Sequence, residues 1–189
     1  MTKPDIENKK LTRCFIALEL SREAIDKIEE IQKLIKKKNL FYGKFTEPEN
    51  LHLTLKFLGE IEENKIEEIK KVLAKIKFGE FEVKLGEIGV FINKYNSILW
   101  LKLNGPEIWN LQKEIDNELK GILPLEEKFM SHITIARMKK ISNKIEFLDY
   151  IKNIKVEKIK FSVKQFTLKK SELKSEGPSY ENLKTFDSD

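Results

Sequence analysis

Cysteine, histidine, proline and glycine are all scarce in this chain. One cysteine, Cys14, stands among 189 residues, so no disulfide can close within the chain and a reducing compartment is expected. Cys14 lies in the apolar stretch "CFIALEL", where a small buried thiol is the expectation rather than a nucleophile. No apolar run approaches the roughly 18 residues that a membrane span requires. The polar opening "MTKPDIENKK" is not followed by a cleavable apolar segment. A cytoplasmic protein without a membrane segment is therefore expected. No Pro/Gly/Ser-rich linker divides the sequence, which predicts that residues 1–189 form a single two-lobed domain. A glycine-rich phosphate loop is also missing, so neither ATP-driven nor nicotinamide chemistry is indicated, and no cofactor is expected.

What the chain does have is charge. Lys and Arg number 36 against 31 Asp and Glu, a net +5. That surplus suits anionic ligands, although Lys/Glu-rich surfaces are also common in thermophilic proteins. Apolar periodicity predicts interleaved strands and helices. "RCFIALEL" (13–20) reads as a buried strand, and Ser21 caps a helix carrying Ile25, Ile28, Ile31, Leu34 and Ile35, with Lys36–Lys38 at its C-terminal end. A loop holding Gly43 and Pro48 leads to a strand over Leu51–Phe57. Ile66, Ile69, Val72, Leu73 and Ile76 mark a second helix, followed by strands in "FEVKLGEIGVFI" and "SILWLKL". Ile108, Leu111, Ile115 and Leu119 mark a third, before a strand over Ser131–Arg137. A short helix near 143–152 precedes strands in "VEKIKFSV" and "QFTLKKSEL". "SEGPSY" reads as a turn and the final "TFDSD" as a frayed end. The fold class is α+β: two pseudo-symmetric lobes of antiparallel sheet with flanking helices.

Both histidines of the chain fall in one pattern. His52 and Thr54 stand in "NLHLTLKFLGE", and His132 and Thr134 in "SHITIARM". Residues i and i+2 of a strand share a face. Each His-Thr pair therefore points one way while Leu51, Leu53, Leu55 and Phe57, or Ile133 and Ile135, point the other. If each lobe gives one such strand to a central groove, two imidazoles and two hydroxyls face each other across it. Imidazoles titrate near neutrality and serve as acid and base; threonine hydroxyls donate to a non-bridging oxygen. The set matches a tetrahedral anionic centre with one arriving and one departing oxygen, and a phosphodiester is the natural candidate. Two histidines without an acid or thiol in the motif make a poor metal-ligand set, so no metal is expected. The alternative is a module that grips a phosphate on a nucleotide or RNA end without turnover.

These motifs resemble those of a known family. "EPENLHLTLKFLGE" and "KFMSHITIAR" are similar to the paired signatures of the two-histidine (2H) phosphoesterases, in the branch of RNA 2′,3′-cyclic phosphodiesterases, historically called 2′-5′ RNA ligases. "RCFIALEL" resembles the opening strand and "FTLKKSELKSEGPSY" the closing one. The resemblance implies metal-independent hydrolysis of RNA 2′,3′-cyclic phosphate ends to 2′-phosphates, and in reverse an ATP-independent 2′-5′ ligation. It implies that His52 protonates the leaving ribose oxygen, that His132 activates water, and that Thr54 and Thr134 hold the phosphate. Arg137 matches an arginine associated with the nucleotide, yet simple alternation points it away from His132. Ser131 departs from the proline common there, and would add a hydroxyl near the site. Lys56 shares the His52 face by alternation and would either add positive potential or snorkel to solvent. Phe15 and Tyr180 would touch the base, or else pack the core and anchor a turn. Trp100 and Trp109 read as core. The expected partners are RNA ends or nucleotides bearing a 2′,3′-cyclic phosphate, with no obligate protein partner, and the chain is expected to be a monomer.

Overall fold

Two half-sheets meet along the two histidine strands. The computed structural model describes residues 11–175 and 177–189. The polar opening segment lies outside the described residues, as does Glu176 of "SEGPSY".

The first half runs β1 (Leu11–Glu19), α1 (Arg22–Lys38), β2 (Phe41–Phe45), a 3₁₀ turn (Pro48–Asn50), β3 (His52–Glu62), α2 (Glu63–Leu73) and β4 (Phe81–Phe91). The second runs β5 (Ser97–Asn104), α3 (Pro106–Leu119), β6 (His132–Ile141), α4 (Lys144–Asn153), β7 (Lys160–Val163), β8 (Gln165–Lys174) and β9 (Gly177–Asp187). Sheet order is β7-β4-β5-β6-β3-β1-β8-β9, with β2 also paired to β6. The strand–helix–strand–helix–strand repeat is closed by exchange. β4 leaves the first half to pair with β5, and β8 leaves the second to pair with β1. Each half thus completes the other's sheet. The half-sheets join where Leu53 of β3 pairs with Ile133 of β6.

Local chemistry explains the helices. Ser21 accepts from the Ala24 N–H at 3.2 Å, and Lys36–Lys38 close α1 at its negative end. Asn143 caps α4 in the same way, accepting from Glu146 N–H. The apolar faces of the helices and the inward faces of both half-sheets merge in one hydrophobic cluster, which contains Leu18, Ile28, Leu53, Leu99, Ile133 and Phe147. Among the described residues no helix is long and apolar enough to cross a membrane.

Several expectations are corrected. The Gly43 segment is not a loop but β2, antiparallel to β6. A Cβ on Gly43 would lie 2.2 Å from the Arg137 carbonyl oxygen, so only glycine lets the two strands close there. Of "VEKIKFSV", only Lys160–Val163 is strand. Residues 177–180 are not a turn but the start of β9, and the C-terminus is not frayed. Phe186 is buried and stacks on Phe166 at 4.8 Å, Ser188 N–H donates to Lys164 O, and Lys77 pairs with Asp189 at 2.7 Å. Main-chain pairing along the whole of β8 holds this strand, which carries few apolar residues to announce it.

Candidate active site

Leu51–Glu60 and Ser131–Lys140 follow the same order of burial, residue for residue. In each, two partly exposed residues (His and Thr) alternate with buried aliphatics. Then two consecutive residues are buried, and the next is exposed. The break in alternation is a β-bulge. Against β1 the ladder passes from Ala17–Thr54 to Ile16–Lys56, skipping Leu55. Against β5 it passes from Trp100–Thr134 to Leu99–Ala136, skipping Ile135. A one-residue bulge reverses the facing of everything after it.

That reversal moves two residues. Arg137, which alternation pointed away, swings onto the histidine face. Lys56, which alternation placed beside His52, turns to the opposite side. There it is buried and ion-paired with Asp116 of α3, also donating to Pro124 O at 2.7 Å. It neither faces the groove nor snorkels to solvent. In its place Phe57 enters the groove, 67% exposed, at the position in β3 that Arg137 holds in β6. Alternation set Phe57 with Leu51, Leu53 and Leu55 on the opposite face, and the bulge corrects that; "H-x-T-x-x-F" and "H-x-T-x-x-R" share a frame. Gln32 of α1 supports the second bulge: its Nε2 donates to the Ile135 carbonyl at 2.9 Å, which also accepts from the Thr46 N–H at 3.0 Å, and to Thr46 O at 2.8 Å.

The two strands line a groove of about 620 Å³ that contains His52, His132, Thr134, Arg137, Phe57 and Tyr180. Each imidazole is held alike. The Nδ1–H of His52 donates to Asn50 O, and that of His132 to Met130 O, both at 2.8 Å. A carbonyl only accepts, so Nδ1 carries the proton and Nε2 is left for chemistry in both rings. Thr54 Oγ1 donates to His52 Nε2 at 3.1 Å. Burial lowers the pKa of His52 to about 4. The Asn50 carbonyl opposes that shift, Lys169 adds to it, Glu19 opposes it, and Arg137 adds to it. Lys169 and Glu19 form a pair at 2.7 Å beside β3.

Aromatic rings shape the walls. Phe15 lies 4.9 Å from both His52 and Tyr180, and Tyr180 meets His52 edge-on at 5.2 Å. Phe15 is only 3% exposed, so it packs behind the histidine and offers no open face to a base. Tyr180 is fixed from the first half: Asn50 Nδ2 donates to Pro178 O at 3.1 Å. Gly177 permits that approach with a φ of 139°. Burial raises the Tyr180 pKa, so the phenol keeps its proton as a donor. On the other wall Phe91 meets His132 edge-on at 5.3 Å and packs on Trp100 at 5.4 Å. Trp100 is therefore partly exposed on the groove side of β5 rather than in the core, and Trp109 is 44% exposed against Phe129. Ser131 is buried, and its hydroxyl donates to Leu103 O at 2.5 Å, which staples β6 to β5 away from the groove. Burial pushes the Cys14 thiol up to about 11, which leaves it protonated and inert, as expected of it. Among the described residues no cluster of three or more His, Cys, Asp or Glu has metal-binding geometry.

The paired H-x-T-x strands are related by an internal repeat and open on one groove that carries Arg137. The "LigT like Phosphoesterase" family model matches residues 18–100 and 102–180, one match per repeat, and the chain belongs to that family. An RNA 2′,3′-cyclic phosphodiesterase of Methanocaldococcus jannaschii is 35% identical over 175 residues, covering 91% of this chain and 98% of that protein. One of Thermotoga maritima is 35% identical over 176 residues, covering 90% and 92%. Among solved structures, TT0787 of Thermus thermophilus superposes with a TM-score of 0.79 at 25% identity, covering 93% of this chain and 97% of that one. Escherichia coli LigT complexed with 3′-AMP gives 0.75 at 21% identity, covering 95% and 99%, a likeness of fold.

Proposed function

We propose that this protein hydrolyses the 2′,3′-cyclic phosphate at RNA ends to a 2′-phosphate, without a metal, using His52 and His132 as its proton-transfer pair. The observation that carries this is the matched presentation of the two rings: each Nδ1 is tied to the carbonyl two residues back, and each Nε2 is left for the groove. A phosphoryl group between them meets Thr54 and Thr134 as hydroxyl donors and Arg137 as a cation. Arg137 lines the groove as a cation, whereas Lys169 is paired with Glu19, so the guanidinium is the charge that suits a phosphodiester. The names of the relatives support the substrate, and the regiochemistry follows the family resemblance.

In this scheme His132 Nε2 takes a proton from water, which attacks phosphorus. The bond to the 3′ oxygen breaks, and His52 Nε2 returns a proton to that oxygen. Burial holds His52 neutral in the empty groove. The arriving phosphate anion favours the imidazolium and displaces the Thr54 hydroxyl from Nε2, so His52 gains its proton as substrate binds. The reverse path joins a cyclic phosphate to a 5′ hydroxyl and needs no ATP. The two lobes act as one domain, in a cytoplasmic monomer.

The direct test is incubation of a 2′,3′-cyclic-phosphate oligonucleotide with the protein in excess chelator, followed by product analysis. A 2′-phosphate end is expected. Binding without turnover supports the phosphate-gripping module instead, and activity restored only by a divalent ion overturns the mechanism.

The pH dependence is a second expectation. The active form carries one proton on the imidazole pair, so kcat/KM traces a bell between two macroscopic pKa values. The depressed His52 value places the acid limb near pH 4. In the kcat profile that limb shifts upward, because bound phosphate stabilises the imidazolium. An acid limb near the ordinary imidazole value of about 6.5 in both profiles would mean that the burial of His52 has no bearing on its chemistry.

A further inference from the structure

Acidic residues are distributed unevenly. Residues 36–46, 88–106 and 128–145 carry lysines and an arginine but not one Asp or Glu, in a chain whose overall surplus is only +5. Sheet register brings these three segments together, since β2 and β5 both pair with β6. The region of like charge lies at the C-terminal end of β6, beyond Arg137. Lys139 follows Arg137 by two residues and is likewise exposed, with buried Met138 between them. Tyr42 pairs with Lys140, and Ser97 pairs with Met138, which sets the 92–96 loop against the same end of the strand.

Two aromatic rings are exposed there. Tyr42 is 69% exposed with Lys139 Nζ 5.9 Å from its ring centre. Tyr95 is 71% exposed with Lys94 Nζ at 5.1 Å. Burying such rings against water is favourable, yet the fold leaves both uncovered. Exposed aromatic faces interleaved with lysines are the elements by which proteins hold single-stranded nucleic acid: bases stack, and the backbone follows the cations. The patch is continuous with the groove, whose wall on this side is Lys44, Phe45 and Arg137. Lys139 lies seven residues beyond His132, roughly 20 Å along an extended strand, a span of several nucleotides.

We propose that this end of β6 is a platform for the RNA strand upstream of the reacting end. Bases stack on Tyr42 and Tyr95, and the phosphates run past Lys139, Lys140 and Lys94. The enzyme is thereby selective for cyclic-phosphate ends of oligonucleotides over cyclic mononucleotides. This rests on RNA being the substrate of the groove.

The experiment compares a 2′,3′-cyclic mononucleotide with cyclic-phosphate oligonucleotides of two to eight nucleotides, in the wild type and in Tyr42→Ala, Tyr42→Phe and Lys139→Ala. Wild-type kcat/KM should rise with length. Tyr42→Ala should lower it on the eight-mer by about five- to hundredfold, the usual effect of losing one stacked base, and leave the mononucleotide unchanged. Tyr42→Phe should keep the gain. Lys139→Ala should make the salt slope of eight-mer binding shallower by about 0.7, the share of one single-strand phosphate contact. Length-independent kcat/KM in the wild type, or equal losses on mononucleotide and eight-mer, overturns the platform. Affinity of a labelled 3′-phosphate RNA eight-mer is measured alongside. If no substrate is turned over but Tyr42→Ala weakens that affinity, the platform stands and the hydrolase reading fails. If Tyr42→Ala leaves it unchanged and a polyglutamate peptide competes as well as RNA, the patch serves acidic proteins and the proposal is wrong.

Discussion

Replacing His52 or His132 with alanine should each lower kcat/KM on a cyclic-phosphate substrate by about 10²–10⁴, the range for loss of a positioned acid or base. The fold should survive. Both rings are partly exposed, and each donates from Nδ1 to a carbonyl at the mouth of its own strand, which water can satisfy in the variant. The double variant should be far less impaired than the product of the two single effects, because the imidazoles serve the same proton transfers. The threonines offer the contrast. Thr54→Val and Thr134→Val keep the β-branched shape that suits a strand. Each should reduce kcat by roughly tenfold to a thousandfold, by analogy with loss of an oxyanion donor. Thermal midpoint and kcat measured on the same preparations separate loss of fold from loss of chemistry. Near-wild-type turnover in either histidine variant would remove that ring from the mechanism.

The histidine-threonine pairs were legible in the sequence because they precede the bulges. Up to Thr54 and Thr134, simple alternation holds and the period of two assigns faces correctly. One residue later it fails, and no local signal marks the failure. Leu55 and Lys56 are both buried, and a lysine at a core position reads as exposed until its partner Asp116, sixty residues away, is seen. The same bulges reverse the facing that alternation assigns to Phe57 and Arg137. β2 was lost for another reason: its residues "FYGKF" carry a glycine that the sequence presents as a turn and that the structure uses for close approach to β6. Trp100 read as core because its strand is apolar on both sides; one of those sides is the groove. Capping and periodicity are local, so α1 is legible in Ser21 and its isoleucines, whereas α2 stops at Leu73 and the apolar Ile76 that extends its pattern lies beyond the helix.

Lys56 is the residue on which the alternation reading and the structure part most sharply, and one substitution separates them. Had Lys56 lain beside the phosphate, Lys56→Met would weaken binding and leave stability alone. The structure predicts the reverse. Lys56 and Asp116 are 4% and 7% exposed, and the carboxylate also accepts from Gln112 Nε2 at 2.9 Å and Glu126 N–H at 3.0 Å. Burial pushes the Asp116 carboxyl up, but the hydrogen bonds from Lys56, the Glu126 N–H and Gln112 outweigh it and hold the group below its ordinary value. The stabilisation this represents is present at neutral pH and is lost as pH falls through that depressed value. Lys56→Met keeps the apolar stem but strands a buried carboxylate, which costs about 3–5 kcal/mol, or roughly 10 °C of thermal midpoint at this chain length. The double variant Lys56→Met/Asp116→Leu should recover most of the loss, since an apolar pair of similar volume replaces a buried ion pair at little cost. In both variants kcat per folded molecule should match the wild type, because this pair lies on the far side of β3 from the groove. A fall in kcat/KM with an unchanged thermal midpoint would place Lys56 in the groove after all, and would mean that the bulge at Leu55 does not exist in solution.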